Sequence, residues 1–191
     1  GQGIKLFSLC LKEYRKHGFL FPVVKKPEED LGSYEGAIVF DPIPNVSYQA
    51  YAVKDYASLY PSSIIHKNMS HETKVEHDDY DNLEGVEYYN AQFRNNDGEI
   101  EYRRFAKVKG ETGMVPKILQ TLLGERKKMK KMMKVEKDPF KYKILDAKQL
   151  ALKMTANSLY GQLGARTSPI LDRDIAACTT NTGREMLHFA K

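Results

Sequence analysis

The stretch from Pro116 to Gly164, PKILQTLLGERKKMKKMMKVEKDPFKYKILDAKQLALKMTANSLYGQLG, carries the reading on which the fold turns. Pro116 suits the first turn of a helix, where its missing N–H costs nothing. A long helical run follows and reaches a polar tip, Val135-Glu136-Lys137-Asp138-Pro139. The Asp-Pro step ends that run, because proline pushes the residue before it out of the helical region. A second helix is predicted from about Phe140 to Leu163. A helix of ~24 residues is about 36 Å long. Two such helices joined by about five residues form an antiparallel hairpin.

Upstream, the pattern is mixed. Ile4, Phe7, Leu11 and Tyr14 recur at helical spacing, with Gly18 and Pro22 as stop signals. Pro27 to Gly36 reads as a polar, acidic connector. Gly36 to Pro42 reads as a short buried strand that ends in a turn made by Pro42, Pro44 and Asn45. Ala50 to Tyr56 reads as a second strand, with Tyr51, Val53 and Asp55 on one face. A short helix is expected from near Tyr60. The acidic segment 76–93 and the segment 99–108 read as strands or hairpins around Asn95-Asn96-Asp97-Gly98, since Asp-Gly is a strong hairpin signal. The last residues, up to Lys191, read as helix. These elements predict an α+β chain in which an antiparallel two-helix hairpin is inserted between mixed segments.

Composition narrows the class. The 191 residues are 41% hydrophobic and 29% charged, with a formal net charge of +5, enough apolar content for a packed core. The charge is uneven: Arg103 to Lys134 holds eleven Lys or Arg against two Glu, and Glu76 to Glu87 holds six acids and no Lys or Arg. A basic block suits a polyanion, and equally a solvated helix face. The two cysteines, Cys10 and Cys178, lie far apart and in no metal-ligand spacing. That argues against a disulfide scaffold or structural zinc and fits a reducing, intracellular setting. No run approaches the roughly 18 apolar residues of a membrane span, and the start lacks the plan of a signal peptide. With no initiator Met and a helix running into Lys191, the chain reads as a fragment of a longer protein.

Several residues could do chemistry. Lys153, Asn157, Tyr160, Gly161 and Gly164 fall at i, i+4, i+7, i+8 and i+11 and share one helical face, opposite Leu152, Leu159 and Leu163. That face offers a cation, an amide, a phenol and two positions where backbone can be approached, by a ligand or by another helix. Arg126 and Lys130 share a face of the first helix. Counted from Pro139, antiparallel pairing brings them near Lys153 and Asn157, an arrangement that suits a triphosphate. Lys127, Lys128 and Lys131 read as a solvated basic face. In Lys54-Asp55-Tyr56-Ala57-Ser58-Leu59-Tyr60-Pro61-Ser62-Ser63, an Asp at a strand end is a fit ligand for Mg²⁺, and the helix start after it offers backbone N–H groups to phosphate. The same Asp could be only a helix cap, as could Ser58 or Ser62.

Together these motifs resemble the family B DNA polymerases. DYASLYPSS is similar to the first palm motif, D-x-x-S-L-Y-P-S, and KMTANSLYG to the fingers motif, K-x-x-x-N-S-x-Y-G. Between them ILQTLLGERKKMKK resembles the first fingers helix, and the flanks GQGIKLFSLCLKE and TSPILDRDIAACTTNTGREML resemble palm segments. YPSSII and NMSHET resemble polymerases of large DNA viruses of eukaryotes.

The resemblance implies a partial palm over 1–115, a fingers hairpin over 116–165, and a palm helix from 166 to 191 that continues beyond the chain. It implies template-directed addition of dNMP to a primer 3′ end, with two Mg²⁺ ions in the complete site. Asp55 would be the catalytic metal ligand, helped by the backbone carbonyl of Tyr56. The N–H groups of Ser58 and Leu59 would hold the triphosphate, and the ring of Tyr60 would exclude a 2′-hydroxyl. Arg126, Lys153 and Asn157 would grip the triphosphate, with Lys130 more peripheral, and Tyr160 and Gly161 would line the nascent base pair. The implied partners are primer-template DNA, a dNTP and a sliding clamp or other processivity factor for the parent enzyme. The implied location is the host nucleus or a cytoplasmic viral replication site, not the secretory route.

The second metal motif, Y-x-D-T-D, is absent, and Asp172 and Asp174 stand in a different context. The isolated fragment is therefore expected to be inactive. A non-enzymatic basic helical module that binds nucleic acid would explain the Lys/Arg block but not Asp55, Tyr60 or the Lys153 face. An RNA-synthesising nucleotidyl transferase is disfavoured by Tyr60. The acidic HDDYD, 77–81, reads as a solvated hairpin rather than a metal site.

Overall fold

The computed structural model describes residues 1–23 and 34–191, except for the side chain of Gln2. The connector expected from Pro27 lies, up to residue 33, outside the described residues. The elements in chain order are α1 (Gln2–Lys16), α2 (Leu59–His66), β1 (Val86–Arg94), β2 (Ile100–Val108), α3 (Met114–Val135), α4 (Pro139–Gly164) and α5 (Arg173–Ala190). Short 3-10 turns occupy His71–Thr73 and Asp78–Tyr80. The chain is thus α+β: the described residues form five helices and a two-stranded antiparallel sheet.

The hairpin of helices forms where local chemistry demands it. α3 ends at Val135, and Asp138 caps α4 by accepting hydrogen bonds from the N–H groups of Phe140 (2.8 Å) and Lys141 (3.4 Å). The start of α3 is capped from elsewhere in the chain. Gly113 N–H donates to Asn68 Oδ1 (2.8 Å), Met114 N–H to Glu72 Oε1 (2.5 Å) and Val115 N–H to Ser70 Oγ (3.1 Å). Ser70 Oγ in turn donates to Glu72 Oε2 (2.7 Å), which also accepts from the Tyr14 hydroxyl (2.9 Å). Segment 68–72 therefore satisfies N–H groups that a helix start leaves without partners, and ties α3 to α1. Ser70 is fully buried. Ser70→Ala would strand the Val115 N–H, so a loss of about 1–3 kcal/mol is expected in urea unfolding. A loss below about 0.5 kcal/mol, the range of an ordinary surface change, would contradict this cap.

α5 packs against α2, α4 and β1. Ile175, Ala176, Ala177 and Cys178 are buried, and so are Thr179, Thr180 and Thr182. Buried hydroxyls need partners. Each threonine finds one on its own helix: Thr179 donates to Ile175 O (2.6 Å), Thr180 to Ala177 O (2.9 Å) and Thr182 to Cys178 O (2.8 Å). Asp172 caps the helix through Ile175 N–H (3.0 Å). Cys10 and Cys178 are both buried and free, and burial pushes each thiol up to about 12, so neither is a reactive thiolate.

The β-hairpin agrees with the sequence signal. Its register runs from Val86↔Val108 to Arg94↔Ile100, and Gly98 takes φ +84° in the turn. Asn95 Oδ1 accepts from the N–H groups of Asp97 (3.0 Å) and Glu99 (2.9 Å), which fixes the loop. Ala91, Phe93 and Phe105 fill the inner face.

Two expectations are corrected. The strands expected at Gly36–Pro42 and Ala50–Tyr56 are not strands: residues 34–56 carry no ladder, and Tyr51 and Val53 are 72% and 93% exposed. A strand exists only when a neighbouring backbone completes its hydrogen bonds, and among the described residues none lies alongside. In α1 the buried stripe is Leu6, Cys10 and Tyr14, with Phe7 partly buried, while Ile4 is 72% exposed. Both stripes have helical spacing, and only the placement of the core selects between them.

Candidate nucleotide-binding site at the junction of α2, α4 and α5

The Asp55 motif leads into α2 through a tight turn. Ser58 occupies the N-cap position in the left-handed region (φ 55°, ψ 55°). Such a conformation is uncommon for a residue other than glycine. The Ser58 side chain makes no capping bond, and Ser62 donates instead to Ala57 O (3.0 Å), so neither expected serine cap is present. Among the described residues no side chain caps the first N–H groups of α2. The Tyr56 hydroxyl donates to Met186 O (3.0 Å) and fastens the turn to α5. Asp55 is exposed and, among the described residues, has no hydrogen bond or ion pair.

Tyr60, one residue into α2, meets the second motif directly. Its ring lies 4.6 Å, centroid to centroid, from that of Tyr160 on α4, tilted by 33°. The two residues are one hundred positions apart in sequence. Burial first, then the charge of Tyr34 and a hydrogen bond shared with it, push the Tyr160 phenol well above its ordinary value, so it stays neutral. Gly164 is tight: a Cβ there would stand 2.5 Å from Tyr34 Oη and 3.4 Å from Ala176 Cβ. Gly164 therefore serves helix packing, whereas Gly161 faces open space.

Lys153, Asn157 and Gly161 form an exposed face of α4, and Leu159 and Leu163 are fully buried on the other. Leu152, expected with them, is half-buried. On α3, Arg126 Nε donates to Gln149 Oε1 (3.1 Å), and Gln149 Nε2 donates to Asp146 Oδ1 (2.8 Å). Arg126 is thus level with Gln149, one turn short of Lys153, about 6 Å along the axis. Counting from Pro139 misplaces the register because the connector, residues 136–138, is itself the tip. By the same count Lys130 lies about 12 Å along the axis from Lys153. Among the described residues no hydrogen bond or ion pair engages Lys130, Lys153 or Asn157. Lys127, Lys128 and Lys131 are exposed, with Lys128 paired to Glu125 (2.5 Å).

The remaining acids are occupied or dispersed. Lys74 Nζ lies 3.1 Å from Asp172 and 3.5 Å from Asp174, and Arg103 grips Asp174 with a fork at 2.7 and 3.2 Å. Burial works against the Lys74 ammonium, but Asp172 and Asp174 outweigh it and raise its pKa. This network joins β2 to α5 and lines a cavity of about 660 Å³. In the acidic stretch, Asp78 and Asp79 lie exposed in a 3-10 turn and Asp81 pairs with Arg104. Among the described residues no group of three or more His, Cys, Asp or Glu could hold a metal.

A profile described as DNA polymerase family B matches residues 1–191, the whole chain. The chain belongs to the family B DNA polymerases. Among relatives, it is 39% identical to the DNA polymerase of Pyramimonas orientalis virus, covering 100% of this chain and 20% of that protein. It is 35% identical to the DNA polymerase delta catalytic subunit of Caenorhabditis elegans, covering 100% of this chain and 17% of that protein. Among solved structures it resembles the family B DNA polymerase of the hyperthermophilic archaeon Pyrobaculum calidifontis, with TM-score 0.67 and 26% identity over 99% of this chain and 23% of that one. The chain spans about a fifth of the length of the relatives it matches.

In this family B chain, motif reading missed the residues that frame the two tyrosines. Gly183 on α5 meets the ring edge of Tyr60, and Tyr34 interacts with the Tyr160 phenol. Neither has a local signal: a glycine in TNTGREML and a tyrosine after a polar run gain meaning only from what packs on them. Nor did it find Gln149 as the partner of Arg126, since that contact depends on the hairpin register.

Proposed function

We propose that this chain is the part of a replicative DNA polymerase that receives the incoming nucleotide, with residues 1–115 and 166–191 in the palm and 116–165 forming the fingers. The observation that carries the reading is the 4.6 Å contact between Tyr60 and Tyr160, which joins two motifs distant in sequence at one place. Tyr60 acts as the check on the sugar, and Tyr160 and Gly161 border the nascent base pair. The left-handed Ser58 followed by helical Leu59 makes consecutive backbone N–H groups converge, an arrangement that favours phosphate oxygens. Lys153, Asn157 and Arg126 face the triphosphate from α3 and α4, and Lys130 adds charge further out.

The donor chemistry at Asp55 fits a hard cation, because a free, solvent-facing carboxylate beside the Tyr56 carbonyl offers only oxygen. Asp55 and that carbonyl would hold Mg²⁺, which when bound neutralises charge on the reacting phosphates. Phosphoryl transfer asks the protein mainly for positioning and charge neutralisation, and Lys153 and Arg126 supply the latter from this chain. Primer-template DNA and a dNTP are the substrates, and a sliding clamp is a further partner of the parent enzyme. It would act in the nucleus or a cytoplasmic viral replication site. Among the described residues no helix is long and apolar enough to cross a membrane.

Lys153→Ala in the polymerase that carries this chain tests the reading. Loss of one charge-assisted bond should raise KM for the dNTP roughly 10- to 100-fold with primer-template affinity unchanged. Equal dNTP kinetics in variant and parent would remove Lys153 from the site.

A further inference from the structure

Gly183 lies within α5, where a glycine is a local cost to the helix and needs a reason. The reason is Tyr60. A Cβ at position 183 would stand 2.9 Å from Tyr60 Cε1 and 3.4 Å from Tyr60 Cδ1, and the third nearest atom is Leu59 Cδ2 at 3.5 Å. No backbone atom is among the three. The space that glycine leaves is therefore filled by the ring edge of Tyr60.

The ring has a second close neighbour, the ring of Tyr160, whose centroid lies 4.6 Å away with a tilt of 33°. The helix is fixed. α5 is buried along most of its first three turns, and Arg184, next to Gly183, donates to Gly36 O (2.8 Å) and pairs with Glu35 (3.1 Å). A methyl group at 183 would therefore press on the ring itself, because the two atoms nearest to it belong to Tyr60 and α5 is held.

We infer that Gly183 is a positioning residue that sets the depth of the Tyr60 ring and thereby the tolerance of the site for the sugar. The inference rests on the reading of Tyr60 as the sugar check. It assigns to α5, which carries no catalytic side chain, a part in choosing the substrate. Gly183 acts only through Tyr60 and touches no nucleotide.

The test is a two-by-two set of variants in the polymerase that carries this chain: parent, Gly183→Ala, Tyr60→Ala and both together. Two quantities are read, Tm and the ratio of kcat/KM for a dNTP over the matching rNTP. With Tyr60 present, Gly183→Ala should lower Tm and change the ratio by about tenfold or more. With Tyr60→Ala, the added methyl should raise Tm, as Ala for Gly does in an unobstructed helix, and move the ratio by less than about twofold. A Gly183→Ala protein that fails to fold should be rescued by Tyr60→Ala. Equal Tm shifts in both backgrounds, or no rescue, would overturn the seat. A reversal of the Tm shift with an unchanged ratio in Tyr60→Ala would uphold the contact but overturn both the sugar check and the role of Gly183 in it.

Discussion

Asp55→Ala, made in the polymerase that carries this chain, is expected to abolish nucleotide incorporation while leaving DNA binding largely intact. Metal-assisted charge stabilisation contributes several kcal/mol to such a transfer, and each 1.36 kcal/mol is a factor of ten, so a fall of about a thousandfold or more in kcat is expected. The structure makes this a clean substitution. Asp55 is exposed, precedes α2 rather than lying in it, and has no hydrogen bond or ion pair among the described residues. Its removal therefore takes nothing from the fold, and the variant's Tm should match the parent's. Single-turnover extension across a Mg²⁺ titration, with primer-template affinity measured in parallel, separates the possibilities. Turnover retained at any Mg²⁺ concentration would end the case for Asp55 as a metal ligand.

Tyr60→Ala is expected to raise ribonucleotide use by roughly 10- to 100-fold, since a small steric conflict costs about 1–3 kcal/mol and the substitution removes its source. The Tyr60 ring packs against the ring of Tyr160 at 4.6 Å and presents its edge to Gly183. Losing it also removes an aromatic pair worth about 0.5–1.5 kcal/mol beyond its buried area, so a modest fall in Tm should accompany the change. Tyr60→Phe keeps the ring and is expected to keep the discrimination. Competition between a dNTP and the matching rNTP on one primer reads the ratio directly. A ratio equal in parent and Tyr60→Ala would reject the check on the sugar.

The two substitutions differ in what their neighbours contribute, and this bears on how the site could be read. Asp55, Ser58 and Tyr60 fall in one short motif, so their types and order were legible in the sequence. The contact of Tyr60 with Tyr160 was not, because it depends on how α2, α4 and α5 meet. Arg126 was correctly put on the same helix pair as Lys153, but one turn out of register, since the tip of the hairpin sits at residues 136–138 rather than at Pro139. Residues 34–56 were the largest misreading. Their apolar runs suggest strands, yet among the described residues no backbone ladder engages them.

What the sequence by itself determined are the features set by local chemistry. Pro116, the Asp138-Pro139 step, the Asp97-Gly98 turn and the stop at Gly18 act through the backbone angles and hydrogen bonds of a few adjacent residues, and the element ends beside them stand within about two residues of expectation, whereas β1 starts at Val86, ten residues after the expected Glu76. The ordered motifs likewise sufficed to establish the family. Only the tertiary structure decided which stripe of α1 is buried, which apolar run has a partner strand, how α3 and α4 are registered, and why position 183 is glycine. Each of these depends on a surface contributed by residues far away in the chain, and no neighbour in sequence carries that information.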